Sequence, residues 1–399
     1  MISVDEALDK IRNNRPAHEI EAVPLNLAHN RILSSDVIAK LDRPPLPVSA
    51  MDGYAVRLED VSSGNWTLSV IGEAPAGTPF KGKISKGEAV RIFTGAALPD
   101  GADHVVIQED CTASGSNISS SNSYKRSQYV RQKGIDFSAD QTIHRSGRCL
   151  SAIDLSLAAD ANIETIKSYR PLKIALIANG EELKPVGSSL APGEIINSNP
   201  IGLSALIDKW GGQSIDLGIA GDSVQSIQKK IEDAPRDIDI FVAIGGASVG
   251  DHDHMRTAFY EAGFSQIFEK IAVKPGKPTW FAKKEHQLVL GLPGNPASAL
   301  VCAHLFLQTL VKPVFHHKFG PGILANDLKQ NGGREAYLRG SAKLDQHGQV
   351  MIEPADNQDS SLLCVFARSN CLIRRKPNAP KTQAGNIVEF LLLGDLVMD

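Results

Sequence analysis

The chain has 399 residues, 42% hydrophobic and 22% charged, with a formal net charge of −3. That length exceeds one compact core and predicts about two to four domains. The near-neutral charge excludes general electrostatic attraction to nucleic acid or an anionic membrane. Five cysteines with no CxxC spacing predict free thiols rather than a disulfide framework or a cysteine zinc site. The opening MISVDEALDKIRNNRPAHEIEAV is interrupted early by acidic residues and has no apolar h-region, so no signal peptide is expected. The most apolar stretch, Ala297 to Val311, contains His304 and Gln308 and is shorter than the roughly 18–20 residues of a bilayer span. A soluble cytoplasmic protein is expected.

Residues 1 to about 40 read as helical, with apolar residues at helical spacing around Ala7, Leu8 and Ile11. RPPLPVSAMDGYAV then breaks any helix, because Pro44, Pro45 and Pro47 force an extended path. From Trp66 to about Arg148, short runs of Val, Ile and Thr between glycines predict a β-rich segment. Inside it, the serine-rich stretch at 111–127 reads as a mobile surface loop. Asp154 to Ala161 reads as a short helix.

The pattern changes near Pro171. LKIALIA (172–178), Ser214 to Ile219, DIDIFVAIG, FSQIFEKIAV and HQLVLGL read as strands. Ser198 to Trp210, Ser223 to Asp233, His254 to Ala262 and Pro296 to Leu310 read as helices. This alternation predicts a doubly wound, largely parallel sheet. Beyond about Gly322, AYLRGSAKL, QVMIEPA, NCLIRRK and NIVEFLLL predict a small β domain. The expected fold is therefore multidomain α+β and α/β. An N-terminal region covers 1–170, helical or extended at 1–65 and 137–170 with a β-rich insert at about 66–136. A central doubly wound α/β domain covers 171–320, and a β-barrel-like domain covers 324–399.

In open α/β sheets, ligands bind beyond the carboxyl ends of the strands. The loops to inspect are therefore NGEEL (179–183), Gly221–Asp222, GGASVGDHDH (245–254), KPGKP (274–278) and GLPGNPAS (291–298). GGASVGDHDH read alone allows a phosphate cradle, an imidazole metal site or an ordinary turn. Gly245, Gly246 and Gly250 allow close approach of main-chain N–H groups to an anion, with a helix expected to start near Asp251. In GLPGNP, Asn295 is placed to cap a helix and Pro296 to occupy its first turn. Lys270, Lys274 and Lys277 add positive charge. Glu182, Asp222, Asp251 and Asp253 add hard oxygen donors, which beside a phosphate suggest Mg²⁺ rather than zinc. No third His or Cys is spaced to complete a zinc site with His252 and His254. Neither GxGxxG in the first strand-to-helix turn nor GxxxxGK[ST] occurs.

SAMDGYAVR (49–57), RIFTGAALPDGADHVVIQED (91–110), GGASVGDHD, KPGKP and GLPGNPAS together resemble the molybdopterin molybdenumtransferase (MoeA) family, related to the C-terminal part of gephyrin. The resemblance runs the length of the chain and implies a molybdopterin-binding-like central domain. It implies insertion of molybdenum from molybdate into adenylylated molybdopterin, with Mg²⁺-dependent release of AMP. By resemblance, Asp222 and Asp253 handle Mg²⁺ or water, and Glu182 belongs to the matching acidic loop. Ser248 with the backbone of Gly245, Gly246 and Gly250 holds the pterin phosphate or its AMP extension. Lys270, Lys274 and Lys277 hold anionic oxygens, molybdate included, while Pro293, Gly294, Asn295 and Pro296 shape the last loop. Asp52, Thr94 and Asp136 match further functional positions, which in the family's homodimer complete the partner subunit's site.

The sequence departs from the family pattern at several points. Asn179-Gly180-Glu181-Glu182 replaces a Thr-Gly-Asp-Glu type of loop, Ile244 replaces a serine, Ala247 a valine and His254 a tyrosine. Loss of one charge-assisted hydrogen bond at Ile244 is expected to weaken binding roughly ten- to a hundredfold. Two alternatives follow. One is a catalytically weakened paralogue that binds or scaffolds molybdopterin intermediates. The other, a nucleotidyl transfer onto molybdopterin, is disfavoured by the extra N- and C-terminal domains.

Overall fold

The apolar runs of the second half form a sheet covered on both faces. The computed structural model describes residues 1–245 and 254–398. In it, β1 (Lys173–Asn179), β2 (Gln213–Ala220), β3 (Ile240–Ile244), β4 (Ser265–Phe268), β5 (Trp280–Lys284) and β6 (Gln287–Leu292) make a six-stranded sheet ordered β2-β1-β3-β6-β5-β4. The first four in that order are parallel, and β5 and β4 continue it in antiparallel pairs. The helices of this part are α1 (Val4–Asn13), α2 (Asn199–Lys209), α3 (Val224–Glu232), α4 (His254–Glu261) and α5 (Pro296–Cys302). A π turn at Ala303–Leu307 carries α5 on into a last turn, Gln308–Val311.

Strand periodicity sorts the core into two layers. Ile174, Leu176, Ile240, Val242, Ile244, Leu288 and Leu290 pack with Ala7 and Ile11 of α1, Leu203 and Ile207 of α2, and Val301 of α5. Ala175, Ile177, Phe241, Ala243 and Val289 pack instead with Ile227 of α3 and with Met255 and Phe259 of α4. Each buried aliphatic or aromatic side chain contributes roughly 1.5–3 kcal/mol. A one-residue slip would exchange the two sets, so the register is firmly specified. In that register Ala178 pairs with Ile244, Ile244 with Leu292, and Asn179 with Ala220. The parallel strands therefore end level, and their loops leave from one edge.

The chain divides into two compact units, Met1–Ile20 with Tyr169–Asp399, and Glu21–Ser168. In the first, residues after 318 close a barrel: Glu335–Leu344, Val350–Pro354, Phe319–Leu324, Ile387–Leu392 and Cys371–Arg375 pair in that order, and the last returns to the first. The second unit holds a six-stranded sheet in which Gly53–Val56 lies between Glu88–Ile92 and His104–Ile107. Its helix Ala152–Asp160 begins at a reciprocal Ser151–Asp154 capping box. No helix among the described residues is long and apolar enough to cross a membrane.

Three local expectations need correction. The helix expected over residues 1 to about 40 is confined to Val4–Asn13. Beyond it come a strand, Ile20–Pro24, and a single 3₁₀ turn, Leu25–Leu27, because Pro16 and Pro24 interrupt the helical hydrogen-bond ladder. The stretch at 111–127 is not simply a loop. Thr112–Ser114 and Asn117–Ser120 form a hairpin that joins Trp66–Ala74, anchored by Ile118 in the core. Strand β5 was not foreseen at all, its apolar residues being few and flanked by prolines and lysines.

The β5–β6 pairing depends on a close approach. A Cβ on Gly291 would lie 1.9 Å from Nε1 of Trp280, its pairing partner, which is 1% exposed. Gly291→Ala is expected to lose about 1–3 kcal/mol of stability through overpacking, measured by urea unfolding. Gly332→Ala, where an added Cβ meets nothing within 4 Å, should stay within about 0.5 kcal/mol of the parent.

Candidate functional site

The level strand ends create a cleft of about 650 Å³. It opens where β1 and β3 part, the point at which the chain's path across the sheet reverses direction. Asn179 ends β1, Ile244 and Gly245 end β3, and Pro293 to Pro296 follow β6; all line the cleft. Gly245 has φ +88°, a left-handed conformation that favours glycine, and a Cβ there would sit 3.0 Å from the Asn179 carbonyl oxygen. Its N–H donates to the Leu292 carbonyl at 3.2 Å. Gly294 approaches so closely that its Cβ would lie 3.4 Å from the Gly245 Cα.

Long-range hydrogen bonds knit this rim. Asn199 Nδ2 donates to the Gly294 carbonyl at 2.7 Å, and Asn179 Nδ2 donates to Asp222 Oδ1 at 2.9 Å. Asn295 is the N-cap residue of α5 as expected, but its side chain does not cap the helix. Its Nδ2 donates instead to Ser360 Oγ at 3.0 Å, and the Ser360 carbonyl accepts from Ala297 N–H. The barrel thus contributes to the rim, with Ser361 lining the cleft. Ile244 is 2% exposed, with its side chain in the core layer beneath the floor.

Of the residues singled out in this half of the sequence, Glu182, Gly245, Pro293, Gly294, Asn295 and Pro296 line the cleft. The Glu182 carboxylate folds over Gly180, with an oxygen 2.6 Å from where a Cβ would be. Asp222 is exposed on the same edge, tied to the cleft only through Asn179. Lys270, Lys274 and Lys277 flank the edge without lining the cleft, whose wall takes Pro278 from their loop. Lys274 and Lys277 are exposed. Gly246, Ser248, Gly250, Asp251, His252 and Asp253 lie outside the described residues, as does Ala247. Asn197, Ser198 and Asn199 line the cleft and were missed. Their Asn-Ser-Asn-Pro run is a helix-start signal that could have marked them. Ser360 and Ser361 carry no comparable local signal.

Asp52, Thr94 and Asp136 lie in the other unit. Thr94 closes on Asp52: its N–H and its hydroxyl both donate to Oδ1, at 2.7 and 2.8 Å. The Thr94 N–H, then its hydroxyl, then the charge of Arg91 hold the Asp52 carboxyl below the usual carboxylate range. The exposed carboxylate is thus fixed and anionic. Arg91, also missed, donates to the Gly53 carbonyl at 3.1 Å and to Gln108 Oε1 at 2.6 Å. Its guanidinium stacks on Tyr54 and Phe93, 4.9 and 5.2 Å from the ring centres. Asp136 lines a separate cavity of about 440 Å³ with Arg43, Arg131, Leu46 and Gly95, the neighbour of Thr94.

Among the described residues no group of three His, Cys, Asp or Glu side chains converges as a metal site. Glu182 and Asp222 are oxygen donors at the edge of a cleft of ligand size. Mg²⁺ commonly takes one or two carboxylates and completes its shell with substrate phosphate and water. The donor chemistry present therefore fits Mg²⁺ bound together with a phosphorylated substrate.

The chain matches the MoeA N-terminal region (domain I and II) over residues 2–161, a probable molybdopterin binding domain over 183–314, and the MoeA C-terminal region (domain IV) over 321–393. It is 35% identical to a molybdopterin molybdenumtransferase of Haemophilus influenzae, across 97% of this chain and 98% of that one. With a protein of the same name from a Nostoc species it shares 32% identity, over 89% and 84% of the two chains. A solved molybdopterin biosynthesis MoeA protein from Pyrococcus horikoshii superposes with a TM-score of 0.83 at 28% identity, covering 99% of this chain and 100% of that one.

The Asp52 geometry yields a direct check. Thr94→Val removes one of the two hydrogen bonds donated to Oδ1, so the Asp52 pKa should rise toward the ordinary value. Carboxyl-detected NMR titration of the parent and the variant measures the shift; an unchanged Asp52 titration would contradict the contact.

Proposed function

The chain belongs to the MoeA family of molybdenum cofactor biosynthesis, and from that premise we propose how its cleft carries out the transfer of molybdenum. The substrates are adenylylated molybdopterin and molybdate. Water attacks the pyrophosphate that joins the pterin phosphate to AMP. The water oxygen bonds to phosphorus as the bridging P–O bond breaks, giving AMP and the pterin phosphate, while the two dithiolene thiols replace oxygens of molybdate, which leave as water with the thiol protons and no change in the oxidation state of molybdenum. The sulfur ligands belong to the substrate, so the reaction needs no cysteine cluster in the protein. The cleft at the switch point of the sheet, bounded by Gly245, Asn199 and the Pro293–Pro296 loop, carries this reading.

Gly245, with Gly246, Ser248 and Gly250, is proposed to hold the phosphate. Asn197 to Asn199 and Asn295 offer hydrogen bonds to the polar rings. Lys270, Lys274 and Lys277 attract molybdate and the pyrophosphate from the adjoining edge. Asp222, Asp253 and Glu182 hold Mg²⁺ or orient the attacking water. Bound Mg²⁺ would offset the pyrophosphate charge and make its phosphorus more electrophilic. A homodimer is proposed, in which Asp52, Thr94 and Asp136 of a second copy complete the site. The proposed location is the cytoplasm, and other proteins of the same biosynthesis are candidate partners.

Ile244, an apolar residue among those lining the cleft, favours a second reading, a weakened paralogue that binds intermediates without turning them over. One assay separates the two. Purified protein given adenylylated molybdopterin, molybdate and Mg²⁺ should release AMP above background, and Asp222→Asn should lower that rate at least about tenfold. A parent with no AMP release, in which Ile244→Ser creates turnover, would favour the binding protein. Mixing Asp52→Asn with Asp222→Asn chains should restore activity that neither shows alone; absence of restoration would count against the shared site.

A further inference from the structure

Asn179 has an environment that its place in a strand-end loop does not require. It is 5% exposed, pairs with Ala220 of β2, and presents its carbonyl to the Gly245 turn. Its Nδ2 donates to Asp222 Oδ1 at 2.9 Å. Its own Oδ1 is buried and has no hydrogen-bond partner among the described residues. Burial at the end of a sheet strand fixes the amide, so its donor stays aimed at Asp222. Asp222 is the opposite kind of residue. It is exposed on the short turn between β2 and α3, and its Oδ2 makes no hydrogen bond among the described residues. An exposed aspartate on such a turn samples several rotamers. A rigid donor rooted in the sheet selects one of them and leaves the second oxygen available.

We propose that Asn179 is a positioning residue: it holds the Asp222 carboxylate in the orientation that receives the divalent cation. The inference rests on the reading of Asp222 given above.

The test uses full-length Asn179→Leu, which keeps the branched shape and removes the donor, and Asn179→Ala should the larger side chain prevent folding. Mn²⁺ serves as the probe, with free ion followed by EPR, and half-saturating Mg²⁺ is measured in the AMP-release assay. Loss of a hydrogen bond to a charged group should weaken Mn²⁺ binding roughly tenfold or more. Half-saturating Mg²⁺ should rise in parallel, by a larger factor than the rate at saturating Mg²⁺ falls. A general structural defect would instead lower the rate without moving the Mg²⁺ requirement, and that result overturns the proposal. So does a folded variant whose Mn²⁺ affinity is unchanged. Asp222→Asn separates the two levels. If it weakens Mn²⁺ binding and Asn179→Leu does not, only the positioning role falls. If neither weakens binding, the cation reading of Asp222 falls and the positioning role with it.

Discussion

The register of the parallel strands is the constraint on which the rest of this half of the molecule depends. β1, β3 and β6 are apolar on both faces, and each face is claimed by its own set of helices. No strand can slide without exposing one set and burying the wrong one. The alignment of Ala178, Ile244 and Leu292 is thus fixed by burial far from the edge it defines. Everything at the cleft inherits that precision. Gly245 and Gly294 meet because their strands end level, and Asn179 reaches Asp222 because β1 and β2 are locked neighbours.

Much of the sheet was legible in the sequence because its signals are local. Runs such as IFVAI have no polar residue to place outward, and helix starts announce themselves through Ser223 or Asn-Pro. The failures are equally physical. Apolar residues at helical spacing around Ile11 extend the expectation of helix past Pro16, where the backbone cannot follow. The serine-rich stretch at 111–127 looks solvated, yet Ile118 and Tyr124 are buried and seat it against the sheet. Strand β5 has neither a clean apolar run nor a clean alternation, and its Trp280 lies closely over Gly291 of β6.

The site divides along the same line. The glycines and prolines after the strands could be recognised because a tight turn beside a ligand demands such residues. What sequence could not supply is which polar side chains bridge the loops. The Asn199 to Gly294 contact spans 95 residues and the Asn295 to Ser360 contact 65. Asn295 illustrates the difficulty: its position at the helix start is local and was foreseen, while the destination of its side chain depends on the barrel. The Asp52–Thr94 pair, 42 residues apart, came from the family resemblance, and local spacing gave no hint of it.

The discontinuity of the first unit has a consequence for how the protein is made. Helix α1 packs on the α/β core, and Ile2 N–H donates to the carbonyl of Lys270, so this segment waits for a partner more than 260 residues away. The second unit, continuous from Glu21 to Ser168, meets no such delay. At about 5–20 residues per second, its strands leave the ribosome well before the core that receives α1 exists. During that interval the apolar face of α1, with Val4, Ala7, Leu8 and Ile11, is uncovered on the nascent chain.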